Sequence, residues 1–335
     1  MEGTIRTAVL GTGMYVPPKI VTNDDLAKRM TTTDEWIVAR TGIKERRYVE
    51  DGVGTADLAY EAARQACAQA GIKPEEIDLV IFATLSPDYN FPGSGVLLQA
   101  KLGAKDIPAL DVRNQCSGFL YGLAAADALI RTGQYRRVLL VGAEVHSTGL
   151  DFSNNGRDVT VLFGDGAGAV VLGPVPAEEG RGILVVRLHA DGSHAKDLWT
   201  EAPASCHGPR LSKEMLDEGR HYPKMNGKRV FVDAVRSMPA VVHECLNAAG
   251  LALGDIDLFI AHQANLRICD AVQERLGLPA EKMFNNIQRY GNTTAGSIPI
   301  ALHEAVTEGR VRTGGLVCLA SFGSGYTWAG ALIRW

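Results

Sequence analysis

The chain of 335 residues has no pair of cysteines at CxxC spacing. Its six cysteines, Cys67, Cys116, Cys206, Cys245, Cys269 and Cys318, lie far apart, so neither a zinc site nor a disulfide framework is indicated. No apolar run approaches the ~20 residues that a membrane-spanning helix needs. The N-terminal MEGTIRTAVLGTGMYVPPKI lacks the basic start, apolar stretch and small-residue cleavage site of a secretory leader. Charge of one sign is scarce too: 34 Lys and Arg against 38 Asp and Glu leave a net charge of −4, which draws the surface neither to nucleic acid nor to an anionic membrane. These absences exclude an extracellular disulfide scaffold, a membrane protein and a basic nucleic-acid binder, and make a cytoplasmic location the expectation.

What is present is a large apolar content, 46% of residues, and 37 glycines scattered between apolar runs, as tight strand-to-helix turns require. LVIFAT, RVLLVGA and GLVCLAS read as strands buried on both faces, separated by amphipathic helices, and predict an α/β fold. Cys67, Cys245 and Cys269 fall in helix-like segments and Cys318 in a strand-like one, where a cysteine is a small buried hydrophobe.

The plan is written twice. AGIKPEEIDLVIFAT (70–84) and AGLALGDIDLFIAHQ (249–263) share a helix end, an acidic turn and a strand opening on Ile-Asp-Leu, and 256 − 77 and 250 − 71 both give an offset of 179. A second pairing sets ALDVRNQCSGFLYGLAAADALIRTG (109–133) against NNIQRYGNTTAGSIPIALHEAVTEG (285–309). Aligned on Gly133 and Gly309, it places Asn292 opposite Cys116. A third sets FGDGAGAVVL (163–172) beside FGSGYTWAGALI (322–333). Each half predicts helix, strand, short helix, strand, long helix, strand, glycine turn, strand. The expected halves are 1–173 and 174–335, with a polar joining region over about 174–230 that covers a site.

Chemistry in such sheets gathers where strands end and helices begin. Cys116 stands there, where unpaired backbone N–H groups and the helix dipole favour thiolate. His262 ends the strand IDLFIAH, just before a helix expected near Asn265, and Asn292 lies in RYGNTTAGS. Taken singly, each has a plain structural reading: a core cysteine, a hydrogen-bonded histidine, a helix cap. Together, a nucleophile and two hydrogen-bond donors able to hold an oxygen that acquires negative charge make a site for carbon acids.

The motifs TTTDEWIVARTGIKERR, DVRNQCSGF, FGDGAGAVVL, LHADGS, AHQANLRI, RYGNTTAGSIPIAL and SFGSGYTWAGALIRW run nearly end to end. In their order and spacing the chain resembles β-ketoacyl-acyl-carrier-protein synthase III of the thiolase-like superfamily. The resemblance implies a duplicated, layered α-β-α-β-α fold with two pseudo-twofold-related halves. It implies that Cys116 carries an acyl group taken from acyl-CoA. His262 and Asn292 would then hold the thioester oxygen of malonyl-acyl-carrier protein as carbon dioxide leaves, while the N–H groups of Cys116 and Ser324 hold the second oxyanion. By the same implication Phe322 lines the malonyl site, and Trp36, Arg40, Arg157 and Asn265 meet CoA. Phe91 caps the acyl pocket across a homodimer interface, and Arg267 and Arg275 dock the acidic carrier protein. No metal and no redox cofactor is implied, acyl-CoA being a substrate.

The chain departs from the family where Arg113, Asn114 and Gln115 precede the cysteine in place of small alanines, where Ser324 stands in the last glycine turn, and where Val232 takes a position often basic. Other readings are a paralogue of specialised metabolism that primes a polyketide or joins two acyl chains, a hydroxymethylglutaryl-CoA synthase, whose glutamate acid/base none of these motifs places, a Cys-His-Asn thiol hydrolase, and a silent scaffold.

Overall fold

Alternation along each strand divides the core into layers. In Leu79–Ala83, Leu79 and Ile81 join one buried cluster while Val80 and Phe82 join another, as the two-residue period of a strand buried on both faces dictates. Val138 and Leu140 against Leu139 and Val141, and Val317 and Leu319 against Leu316 and Cys318, repeat the pattern.

The computed structural model describes residues 5–335. The strands of the first sheet are β1 (Ile5–Tyr15), β2 (Leu79–Ala83), β3 (Ala109–Val112), β4 (Val138–Glu144) and β5 (Gly166–Pro176), ordered β1-β5-β4-β2-β3. Those of the second are β6 (Gly182–Ala190), β7 (Leu258–Ala261), β8 (Leu316–Gly323) and β9 (Thr327–Arg334), ordered β7-β8-β9-β6. The parallel pair β2/β4 and the antiparallel pairs β4/β5 and β5/β1 have counterparts in β7/β8, β8/β9 and β9/β6.

The helices that matter for the site are α1 (Asp34–Thr41), α2 (Thr55–Ala70), α3 (Gly118–Arg131), α4 (Gly227–Ala249), α5 (Leu266–Leu276) and α6 (Ser297–Thr307). Helix α2 covers the outer face of the first sheet and α4 that of the second, while α3 and α6 lie between the sheets. The order of layers is α-β-α-β-α. Gly71 and Gly250 end α2 and α4 in left-handed conformation, 250 − 71 giving the same offset of 179.

Three expectations are corrected. The region over 174–230 is not all joining loop: it holds β6, whose Ile183 and Val185 alternate into the core before the polar, turn-rich stretch begins. The strand expected between the two helices of the second half is a single parallel bridge, Phe259 to Met283. Most consequential is the pairing of Asn292 with Cys116. Gln115 and Thr294 both have left-handed φ, +41° and +47°, and each sits in a short 3-10 turn that opens a central helix. The offset is 294 − 115 = 179, so Cys116 faces Ala295 across the pseudo-twofold and Asn292 corresponds to Arg113. The cause is helix length: α3 has 14 residues and α6 has 11, so alignment on their terminal glycines slips by three.

Candidate active site

Cys116 occupies the 3-10 turn Gln115–Ser117 between β3 and α3, and is buried, 7% exposed. Burial pushes its thiol up to about 12, Glu144 adding to the rise and the N–H groups of Ser324 and Cys116 opposing it. The helix terminus therefore does not prevail here. At neutral pH the sulfur is held as a thiol, and its proton must leave as it attacks. The sulfur rests against Gly323 at the end of β8, where an added Cβ would come 2.7 Å from it.

His262 follows β7 and is buried, 1% exposed. Its Nδ1 lies 2.6 Å from Ser297 Oγ at the start of α6, and that hydroxyl also accepts the N–H of Gln263 at 3.3 Å. The neutral ring carries one hydrogen, and when the Ser297 hydroxyl donates its proton to Nδ1 that hydrogen is on Nε2, facing the cavity as a donor. Nε2 is buried and has no protein partner. Burial holds the ring down at about 3, so the imidazole is neutral at neutral pH. Asn292 accepts the N–H of Thr294 on Oδ1 at 2.8 Å, and its NH2 end is left for the cavity. The backbone of Asn292 is fixed on both sides, donating to Leu162 at 2.8 Å and accepting from Gly164 at 3.1 Å.

All three side chains line one cavity of about 1060 Å³, together with Phe322, Gly323 and Ser324. Its wall also includes Trp36, Arg40, Asn265 and Arg267. The guanidinium of Arg40 lies 4.4 Å from the centre of the Trp36 ring and that of Arg157 lies 4.6 Å from it. Arg157 is also held by Asp158 at 3.1 Å and by the Thr31 carbonyl at 3.2 Å, and it stacks on Trp36 without lining the cavity itself. Asn265 caps α5, accepting the N–H of Arg267 at 2.9 Å, and donates to the Arg40 carbonyl at 3.0 Å. Both ends of its amide are used by the protein, so its place is that of a brace between α1 and α5.

Besides Arg157, two expected residues lie outside the cavity. Arg275 is exposed in the last turn of α5. Phe91 is 83% exposed and touches no part of its own chain's cavity.

Three residues escaped the sequence reading. Ser297 orients His262. Gly323 admits the sulfur. Glu144, at the end of β4 and fully buried, accepts from Thr84, Leu85, Ser86 and the N–H of Ala295, and burial pushes its carboxyl up to about 7. The small serine and glycine beside Asn292 and in FGSG were visible as turn residues, but nothing in the sequence ties them to partners 35 and 207 residues away (297 − 262; 323 − 116).

Comparison with known proteins agrees along the whole chain. The family model described as 3-oxoacyl-[acyl-carrier-protein (ACP)] synthase III matches residues 110–192, and its C-terminal counterpart matches 246–335. The β-ketoacyl-[acyl-carrier-protein] synthase III of Caldanaerobacter subterraneus is 45% identical over 331 residues, covering 99% of this chain and 98% of that relative. The protein of the same name from Symbiobacterium thermophilum is 47% identical, covering 98% and 97%. Among solved structures, 3-oxoacyl-[acyl-carrier-protein] synthase III from Aquifex aeolicus VF5 superposes with a TM-score of 0.89 at 44% identity, covering 98% of this chain and all of that one.

Proposed function

The chain belongs to the β-ketoacyl-[acyl-carrier-protein] synthase III family, and from that membership we propose how its own residues divide the reaction. It is a condensing acyltransferase of thiolase-like fold that initiates fatty-acid synthesis. The specialised-metabolism alternative is not favoured, because the relatives above carry the synthase name over their full length. The observation that carries the division of roles is one cavity shared by a thiol, an unpartnered imidazole Nε2 and a carboxamide NH2.

In the first stage the Cys116 sulfur attacks the acyl-CoA carbonyl, the N–H groups of Cys116 and Ser324 hold the oxyanion, and the C–S bond to CoA breaks. The thiol proton ends on the CoA sulfur, so the exchange is neutral overall. In the second stage malonyl-acyl-carrier protein enters, and His262 Nε2–H and the Asn292 NH2 donate to its thioester oxygen. Cleavage of the C–C bond to the carboxylate releases carbon dioxide and leaves the electron pair as an enolate on that oxygen. The enolate carbon attacks acyl-Cys116, and the departing sulfur takes a proton from solvent. Neutral donors suit this step, because they stabilise charge as it arrives without holding the carboxylate beforehand. Every step is served by groups of the chain and its substrates, and we propose no metal or redox cofactor.

The same proposal includes CoA at Trp36, Arg40 and Arg157, the malonyl unit against Phe322, and an acidic carrier protein at Arg267 and Arg275. It places the enzyme in the cytoplasm as a homodimer. β3 is an open sheet edge with Leu110 exposed, and the exposed Phe91 lies two residues before Gly93, which packs on Asp111 of β3, a surface that pairing would cover.

Intact-mass measurement after mixing with acetyl-CoA tests the roles. An adduct should form on the native chain and on His262→Ala and Asn292→Ala, and be absent from Cys116→Ala. Malonyl-carrier protein should discharge it only in the native chain, the two variants losing about 10²–10³-fold in carbon dioxide release. Loss of loading in either folded variant would overturn the division of roles.

A further inference from the structure

The starter substrate can be narrowed by charge, resting on the condensing reaction above. Four cations line the cavity without an ion pair among the described residues: Arg40, Arg113, Lys228 and Arg267. Three of them share one neighbourhood. Arg40 is tied to Asn265, Arg267 is the next residue but one and lies 5.9 Å from the Phe231 ring, and Lys228 is on the same helix as Phe231. Arg113 comes from elsewhere. It leaves the end of β3, beside the Thr84–Ser86 segment that leaves β2, and Leu85 and Ser86 line the cavity with it. Three residues on is the nucleophile.

A guanidinium on this wall has no work to do in decarboxylation. Paired with the malonyl carboxylate, it would stabilise the charge that has to leave and so slow the step. Arg113 is exposed at the cavity's edge, and a hydrocarbon starter packed against its unpaired guanidinium would strip part of its water and return nothing. A carboxylate at the far end of the acyl group repays that loss with charge-assisted, bidentate hydrogen bonds.

We propose that Arg113 is a specificity residue that selects starters ending in a carboxylate, the CoA monothioesters of short dicarboxylic acids. The acyl transfer is unchanged in its bonds: the thioester carbon passes from the CoA sulfur to Cys116, and the distal carboxylate takes no part.

The test compares succinyl-CoA and glutaryl-CoA with butyryl-CoA and valeryl-CoA, matched in length, in the rate of adduct formation on Cys116 and of discharge by malonyl-carrier protein. The native chain should prefer the acidic member of each pair. Arg113→Met should lower the acidic-to-neutral ratio by about ten- to a hundredfold, the range for removing a charged hydrogen-bond pair, and Arg113→Lys should restore part of it. A native preference for the neutral members, or a ratio unmoved by Arg113→Met, overturns the proposal while loading and discharge with butyryl-CoA leave the condensing reaction standing. Absence of an adduct with all four thioesters overturns the proposal, and absence with acetyl-CoA as well overturns the condensing reaction.

Discussion

Cys116 and Gly323 meet so closely that one methyl group decides whether the sulfur can sit where it does. Gly323→Ala puts a carbon 2.7 Å from Sγ, closer still to the Cys116 Cβ and 3.4 Å from its Cα. The variant should fold and yet lose adduct formation by at least about a hundredfold, the penalty for misplacing an attacking atom by an ångström. Intact mass with acetyl-CoA, together with a circular dichroism spectrum, checks it, and full loading would show that the contact is slack. At this scale the sequence exposed the groups with distinctive chemistry. A cysteine at a helix start, a histidine at a strand end and an asparagine in a glycine turn are each legible from their own surroundings. Their supports are not. Ser297 acts on His262 across 35 residues of chain (297 − 262), and Glu144 on Ala295 across 151 (295 − 144), and both contacts exist only once the halves have packed.

Between elements, the halves approach through backbone. A Cβ at Gly142 in β4 would come 2.6 Å from the carbonyl carbon of Ala295, in the turn that opens α6. That turn supplies the Thr294 N–H which orients Asn292. Gly142→Ala should therefore destabilise the fold by about 1–3 kcal/mol, the usual cost of overpacking, measured as a lower urea midpoint, and should impair decarboxylation more than acyl loading. Equal impairment of both stages would mean that the strain spreads beyond the turn. Elements with strong periodicity, such as the apolar strands and α4, were legible in the sequence. The slip in the Asn292 pairing shows the limit: a glycine marks where a helix ends, and carries no record of how many turns precede it.

For the molecule as a whole, the buried titratable groups oppose one another. His146 and His262 are held at about 3 by burial, so in the unfolded chain they take protons first on acidification. Their contribution is full above pH 6.5 and is lost as pH falls towards 3. Glu144, raised to about 7 from 4.5, has the opposite sign: its contribution is full below 4.5 and is lost as pH rises through 7. Between 4.5 and 6.5 the two imidazoles outweigh the one carboxyl, so these groups make the protein less stable as the pH falls. Glu144→Gln removes the opposing proton and should steepen that loss by about 1.4 kcal/mol per pH unit, read from urea unfolding at several pH values. Parallel curves for the two proteins would show that Glu144 titrates normally. The duplication was legible at this scale because a helix end, an acidic turn and an Ile-Asp-Leu strand recur intact. The missing fifth strand and the placement of β6 were not, since a lone bridge and a strand beside polar loops leave little periodic signal.

The stacking of Arg157 on Trp36 has a consequence for turnover. At the proposed CoA site, a purine docking on this indole would have to enter beside a cation already stacked there, and would trade part of that stack for its own with little net gain. On that proposal the nucleotide would mark the substrate more than anchor it, and spent CoA would leave readily before the carrier-borne substrate enters.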